Sequence, residues 1–95
     1  LLARIRAHDR DNAILVITEG LFSMDADVPD LAATQAACRE HRATLVVDVA
    51  HDLGALGPGG TGSLGVQGLL GRVDLVMGSF SKTFGSNGGF VASRE

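Results

Sequence analysis

The sequence predicts an α/β fold: a mainly parallel sheet with one antiparallel strand and flanking helices. Three observations predict it. Short apolar runs rich in β-branched residues recur at 13–18, 45–49 and 73–80. Helical spacing fills the gap between the first two runs, and glycine-rich or acidic stretches follow their carboxyl ends. A strand, helix, strand unit of this length implies a right-handed crossover within one parallel sheet.

The elements follow in order. Leu1 to Ala7 reads as a helix entered midway, with Leu1, Leu2 and Ile5 on one side. A polar break at Asp9 to Asn12 precedes Ala13 to Thr18, a continuous run of the kind found in strands buried on both faces. Glu19 to Pro29 is a loop that gathers polar groups at the carboxyl edge of that strand. Pro29 and Asp30 open a helix over Leu31 to His41, where Leu31, Ala32, Gln35, Ala36 and Arg39 recur at helical spacing. Leu45 to Val49 is the second strand. From Leu53 to Gly71 glycine stands at 54, 57, 59, 60, 62, 65, 68 and 71, too often for a regular element, so a long, loose loop framing a site is expected. Val73 to Phe80 is the third strand, and Gly89 to Ser93 a short fourth that pairs antiparallel at its side.

Composition narrows the class. Of 95 residues 45% are hydrophobic, yet Trp and Tyr are absent and Phe numbers four, so the core must be aliphatic. A chain of this length buries only about 60–65% of its unfolded surface, too little to cover both faces of such a sheet. The sequence lacks an initiator Met and ends on Arg94-Glu95 without a closing element, so residues 1–95 are expected to be the central part of a larger domain. A net charge of −3 leaves no basic footprint for nucleic acid and no polybasic membrane patch. No apolar run approaches the roughly 20 residues of a membrane span, and no signal peptide precedes the first strand, so the expected compartment is the cytoplasm. Cys38 has no intrachain partner and falls in a helical pattern, a small helix-face residue under reducing conditions. His8 and His41 lack ligand spacing, and no metal is expected.

Open parallel sheets bind ligands beyond the carboxyl ends of their strands, which gathers Glu19, Ser23, Asp48 and His51 on one rim. Lys82 joins them from Gly78-Ser79-Phe80-Ser81-Lys82-Thr83-Phe84-Gly85, with Gly88-Gly89 close behind. A lysine becomes a nucleophile where its ammonium can lose a proton, and a Ser/Gly-rich turn at a strand end lets a carbonyl cofactor approach. Pyridoxal phosphate (PLP) needs such a lysine, a carboxylate facing the pyridine nitrogen, a contact for the ring hydroxyl, and hydroxyls or amides for the phosphate. Asp48 is placed to be that carboxylate. Each residue also has an ordinary structural reading. Lys82 fits a solvated loop, Asp48 the cap of the following turn, and His51 a hydrogen-bonded loop residue. Ser23 and Ser79 fit serines bonded to their own backbone, and Met24 fits packing.

Three stretches in order carry a resemblance: Glu19-Gly-Leu-Phe-Ser-Met-Asp-Ala-Asp, Val47-Asp-Val-Ala-His-Asp-Leu-Gly-Ala-Leu-Gly, and Gly78-Ser-Phe-Ser-Lys-Thr-Phe-Gly with Gly88-Gly89. Together, over about residues 13 to 93, they resemble the α-oxoamine synthases, fold-type I PLP enzymes that include serine palmitoyltransferase, 8-amino-7-oxononanoate synthase, 5-aminolevulinate synthase and 2-amino-3-ketobutyrate ligase. The resemblance implies the large domain of such an enzyme, acting as a homodimer when full length. It also implies an activity: carbon acylation of an amino acid by an acyl thioester (acyl-CoA), usually with decarboxylation. Lys82 is then the lysine that forms the internal aldimine and later shuttles the α-proton, and Asp48 the partner of the pyridine nitrogen. His51 and Ser23 contact the ring hydroxyl, Ser79 and Ser81 the phosphate, and Glu19 lies on the substrate side.

The second stretch departs from the family pattern: Val49 and Asp52 stand where many members carry an acidic residue and a serine around the histidine. That leaves the subfamily open. The chain also lacks the upstream ring-stacking partner and the downstream arginine for the substrate carboxylate, so this piece alone is expected to be inactive. Competing readings are a fold-type I aminotransferase, a catalytically inactive family-like subunit, and a small flavodoxin-like binding module in which Lys82 is incidental.

Overall fold

β-branched and aliphatic runs at Ile14–Glu19, Ala43–Asp48 and Leu75–Ser79 form β1, β2 and β3, which lie side by side in chain order and run parallel. Gly89–Ser93 adds β4, antiparallel to β3, at the edge. This computed structural model describes residues 1–94. The helices are α1 (Leu2–His8), α2 (Leu31–Glu40) and the short α3 (Gly62–Val66), with a 3₁₀ turn at Pro58–Gly60.

Helix α2 starts where the Asp30 carboxylate accepts a hydrogen bond from the Ala33 amide at 2.8 Å, satisfying a donor that has no partner within the helix. It ends at Glu40, and Arg42, two residues on, turns the chain toward β2 at a φ of 52°. Leu31, Gln35 and Cys38, spaced four and three residues apart, are its buried face. They pack toward Leu45, Val47 and Val49 of the β2 region, joined by Leu64, Leu69 and Val73. The core is aliphatic, as the composition requires.

Pairing places side chains by alternation. With Ile14 opposite Ala43 and Val16 opposite Leu45, the residues Ile14, Val16, Leu45 and Val47 share the covered face. Leu15, Ile17, Met77 and Val91 lie on the other face and are exposed. Within the described residues β1 lies at the edge of the sheet and no helix covers its second face, so only one of the two faces expected to be buried is covered here.

Two further expectations change. The third strand begins at Leu75, because the Asp74 carboxylate accepts from the Leu45 amide at 2.9 Å and stands in for a strand partner there. The glycine-rich stretch 53–71 is not loose. It contains α3, buries Gly62, Ser63, Leu64 and Leu69, and is cross-tied by Gly54 N–H to Gly60 C=O at 2.7 Å and Gly62 N–H to Leu56 C=O at 2.8 Å. Its glycines turn the chain at positive φ, 77° at Gly57 and 69° at Gly62, and so fold the stretch onto the core.

Candidate active site

The register of the sheet assembles the rim. Glu19 and Asp48 are direct neighbours at the carboxyl ends of β1 and β2, and Asp48 is paired in turn with Met77, two residues before Ser79. Adjacent strands lie about 4.8 Å apart and rise about 3.3 Å per residue, so the three strand ends form one edge. Both acids share the face opposite the core. Glu19 is half-buried, and its Oε2 is buried with no hydrogen-bond partner among the described residues. Asp48 accepts from the Ala50 amide through Oδ1 at 2.9 Å. The capping role open to Asp48 in sequence is thus real, and it occupies one oxygen.

His51 follows on that turn, half-buried. Ser23 sits further out, in a turn closed by Phe22 N–H to Asp27 C=O at 2.9 Å, and is exposed. Met24 beside it is 90% exposed and packs on nothing here, contrary to the reading of it as a packing residue.

Lys82 lies in the loop between β3 and β4. Phe80 N–H bonds Gly88 C=O at 3.0 Å, and Ser86 N–H bonds Phe80 C=O at 2.8 Å, so the loop closes on itself around the lysine. Phe80 anchors it, edge-on to Phe84 at 6.0 Å and tilted over Phe90 at 5.8 Å. At the loop's entry the Ser79 and Ser81 hydroxyls are 2.7 Å apart, and Ser79 Oγ also accepts from the Ser81 amide at 3.1 Å. Lys82 itself is exposed and makes no ion pair among the described residues.

One contact brings this loop to the acids. Gly54, four residues past Ala50, lies so close to it that a Cβ there would fall 2.9 Å from Thr83 Cγ2 and 3.1 Å from the Phe84 ring. The stretch that follows the Asp48–His51 turn and the Lys82 loop are thereby neighbours. The structure brings together Glu19, Asp48, Ser79, Ser81 and Lys82 on this edge with His51 beside them, and leaves Ser23 at an exposed tip.

A cleft of about 380 Å³ lined by Arg6, Arg10, His41 and Arg42 lies at the opposite, amino edge of the sheet, and one of about 430 Å³ lies along α1 itself, lined by Leu1, Arg4, Ile5, His8 and Asp9. Open parallel sheets do their chemistry at the carboxyl edge, so the rim, although a shelf, is the functional candidate. Sequence reasoning noticed Asp52 only as a departure from a pattern. In the fold it is fully buried, and its Oδ2 accepts from the Ser63 amide at 2.6 Å. Nothing in its local sequence marks that burial, because the neighbours that enclose it come from other segments.

The family profile described as aminotransferase class I and II matches residues 1–95. The chain belongs to that family. Among curated members it is 42% identical over 92 residues to serine palmitoyltransferase of Sphingobacterium spiritivorum, covering 97% of this chain and 23% of that protein. To 8-amino-7-oxononanoate synthase of Fervidobacterium nodosum it is 42% identical over 94 residues, covering 99% and 24%. Both relatives are α-oxoamine synthases, in agreement with the three stretches. Among solved structures, serine palmitoyltransferase of S. paucimobilis with a bound PLP–myriocin aldimine superposes with a TM-score of 0.88 at 39% identity, over 99% of this chain and 24% of that one. The Sphingomonas wittichii enzyme superposes with 0.86 at 37% identity, over 99% and 23%. The chain thus spans about a quarter of the length of the family members it matches, and its mixed, mostly parallel sheet is that of the fold-type I PLP transferases.

Proposed function

We propose that the protein is a PLP-dependent C-acyltransferase that condenses an amino acid with an acyl thioester (acyl-CoA), usually with loss of carbon dioxide, to give an α-oxoamine. Residues 1–95 would be the central part of its PLP-binding large domain, the whole acting as a cytoplasmic homodimer. One observation supports the reading: Asp48 and Ser79 end the neighbouring strands β2 and β3, with Lys82 three residues past Ser79, in a chain 42% identical to two α-oxoamine synthases.

The donor set fits the cofactor. Asp48 keeps Oδ2 uncommitted among the described residues while Oδ1 is held by the Ala50 amide, so the carboxylate is oriented and still has an acceptor to offer a pyridine N–H. The paired Ser79 and Ser81 hydroxyls and the amides of a tight turn are the usual means of holding a phosphate dianion. His51 and Ser23 would contact the ring hydroxyl. Lys82 presents a primary amine on a loop closed by two backbone hydrogen bonds, able to hold the aldehyde carbon and to carry a proton at Nζ. Glu19 would face the substrate, with a buried oxygen free to accept a hydrogen bond. When bound, PLP supplies the electron sink that makes the α-carbon of an amino acid acidic.

Borohydride reduction of the PLP-loaded full-length protein followed by peptide mass mapping tests the assignment. A phosphopyridoxyl group on Lys82, absent in Lys82→Ala, is the expected result. Failure to trap any adduct on folded, cofactor-supplied protein overturns the reading. Carbon dioxide release that requires acyl-CoA is expected for acyl transfer, whereas keto-acid formation without it would make the protein an aminotransferase.

A further inference from the structure

Asp52 is the one fully buried acidic side chain among the described residues, and the chemistry proposed above does not use it. A carboxylate removed from water costs several kcal/mol unless other groups hold it. Here the Ser63 amide donates to Oδ2, while Oδ1 is buried without a partner among the described residues. Two glycines lie against it. A Cβ on Gly20 would stand 2.5 Å from Oδ2 and 2.9 Å from Oδ1, and a Cβ on Gly62 would stand 2.7 Å from Oδ2. Real side chains do not approach that closely, so both positions must be glycine for the carboxylate to fit. Three segments therefore converge on it: the end of β1, the turn after β2, and the start of α3.

The placement of those segments gives the convergence a purpose. Gly20 directly follows Glu19 and leads into the turn that carries Ser23, while Asp52 directly follows His51 and lies four residues past Asp48. At the strand ends the two arms are tied by the Gly20 N–H to Asp48 C=O bond at 2.7 Å, beside the Glu19–Asp48 pair of the ladder. We infer that Asp52 is a positioning residue whose buried carboxylate, seated against Gly20 and Gly62, sets the β1 arm (Glu19, Ser23) at a fixed spacing from the β2 arm (Asp48, His51). What the arms are positioned for rests on the PLP reading; the seating of the carboxylate does not.

The two glycines give the inference a sharp test. Gly20 lies outside the left-handed region of φ, and the three atoms nearest an alanine Cβ there all belong to the Asp52 carboxyl group, whereas Gly62, at φ 69°, resists alanine on backbone grounds alone. Urea unfolding of the full-length protein without PLP is measured for wild type, Gly20→Ala, Asp52→Ala and the double variant. Gly20→Ala is expected to be costly in the wild-type background and close to neutral once Asp52 is alanine. It stays costly beside Asp52→Asn, which keeps the volume. Should Asp52→Ala fail to fold, Asp52→Ser closes the same cycle. An equal cost of Gly20→Ala in every background overturns the seating.

The second readout is spectroscopic. Asp52→Ala is expected to weaken PLP affinity about tenfold, the middle of the range over which contacting residues couple. It should also change the balance and pH profile of the absorbance bands of bound PLP, with partial rescue by Asp52→Asn. Affinity and pH profile unchanged despite lowered stability would make Asp52 a structural staple and overturn the positioning role. A wild-type protein with no PLP band at all would instead sink the cofactor reading, and the cycle without PLP would still decide the seating.

Discussion

Gly78→Ala is the substitution by which the Lys82 loop can be probed without touching any candidate site residue. Gly78 is buried in β3 between Val49 and Phe90. Its φ lies outside the left-handed region, so alanine meets no backbone strain. The added Cβ would fall 2.7 Å from Phe90 Cε1, 2.9 Å from Cζ and 3.3 Å from Val49 Cγ2, where ordinary contact begins at 3.4 Å. The Phe90 ring must retreat by about 0.7 Å, and it cannot retreat freely because Phe80 lies against it at 5.8 Å. Overpacking of this kind costs about 1–3 kcal/mol. One methyl against a ring that already has Phe80 as an aromatic neighbour puts the expected loss near 2 kcal/mol, a factor of about 30 in the folding equilibrium. Because Phe80 also pins the loop through Phe84, part of the displacement should reach residues 80–88. Urea denaturation should show a lower midpoint with an unchanged slope, and hydrogen exchange should quicken at the Phe80 and Ser86 amides. Wild-type stability and exchange in Gly78→Ala would refute the reasoning, because the packing chain from Gly78 through Phe90 to Phe80 would then transmit nothing.

Arg6 donates to the carbonyls of Asp9, Arg10, Asn12, His41 and Arg42, tying α1 to the starts of β1 and β2. Arg6→Ala should cost about 1–2 kcal/mol, because most of these bonds are solvent-exposed, and Arg6→Lys should recover little of it without the planar fork; equal stability of the lysine variant and wild type in thermal melts would contradict this. Burial, and secondarily the negative charge of Asp74, raises the Cys38 thiol above its ordinary pKa. The folded protein should resist thiol reagents at neutral pH and react only on denaturation, which mass spectrometry after alkylation would check. Asp9 is held below the ordinary carboxylate value, first by the Asn12 side-chain amide and then by the Asn12 backbone N–H. A lowered folded-state pKa means the α1–β1 corner is stabilised above the ordinary Asp value and loses that support as pH falls through the lowered one. An NMR titration should find Asp9 shifted down in the wild type and moved back up in Asn12→Ala.

Much of the architecture was legible in the chain because it is written in local patterns. β-branched runs gave four strands, the capping Asp30 and the Leu31, Gln35, Cys38 spacing gave α2, and the length of the α2 crossover gave β1 and β2 as parallel partners. The rim was legible for the same reason: Glu19, Asp48 and Ser79 each close a predictable strand, and strand ends in a parallel sheet must lie together. The stretch 53–71 was misread because glycine frequency reports freedom in the unfolded chain. In the fold those same glycines, at positive φ, build closed turns around α3.

The sequence by itself determined the strands and their mainly parallel sheet, the acid and lysine beyond strand ends, and the family, since these depend on residue type and on separations along the chain. Only the tertiary structure decided that Gly54 lies against Thr83 and Phe84 of the Lys82 loop, and that Asp52 is buried against Gly20 and Gly62. Those facts depend on contacts between segments dozens of residues apart, and the burial of a charged side chain is a property of the neighbours that fold around it.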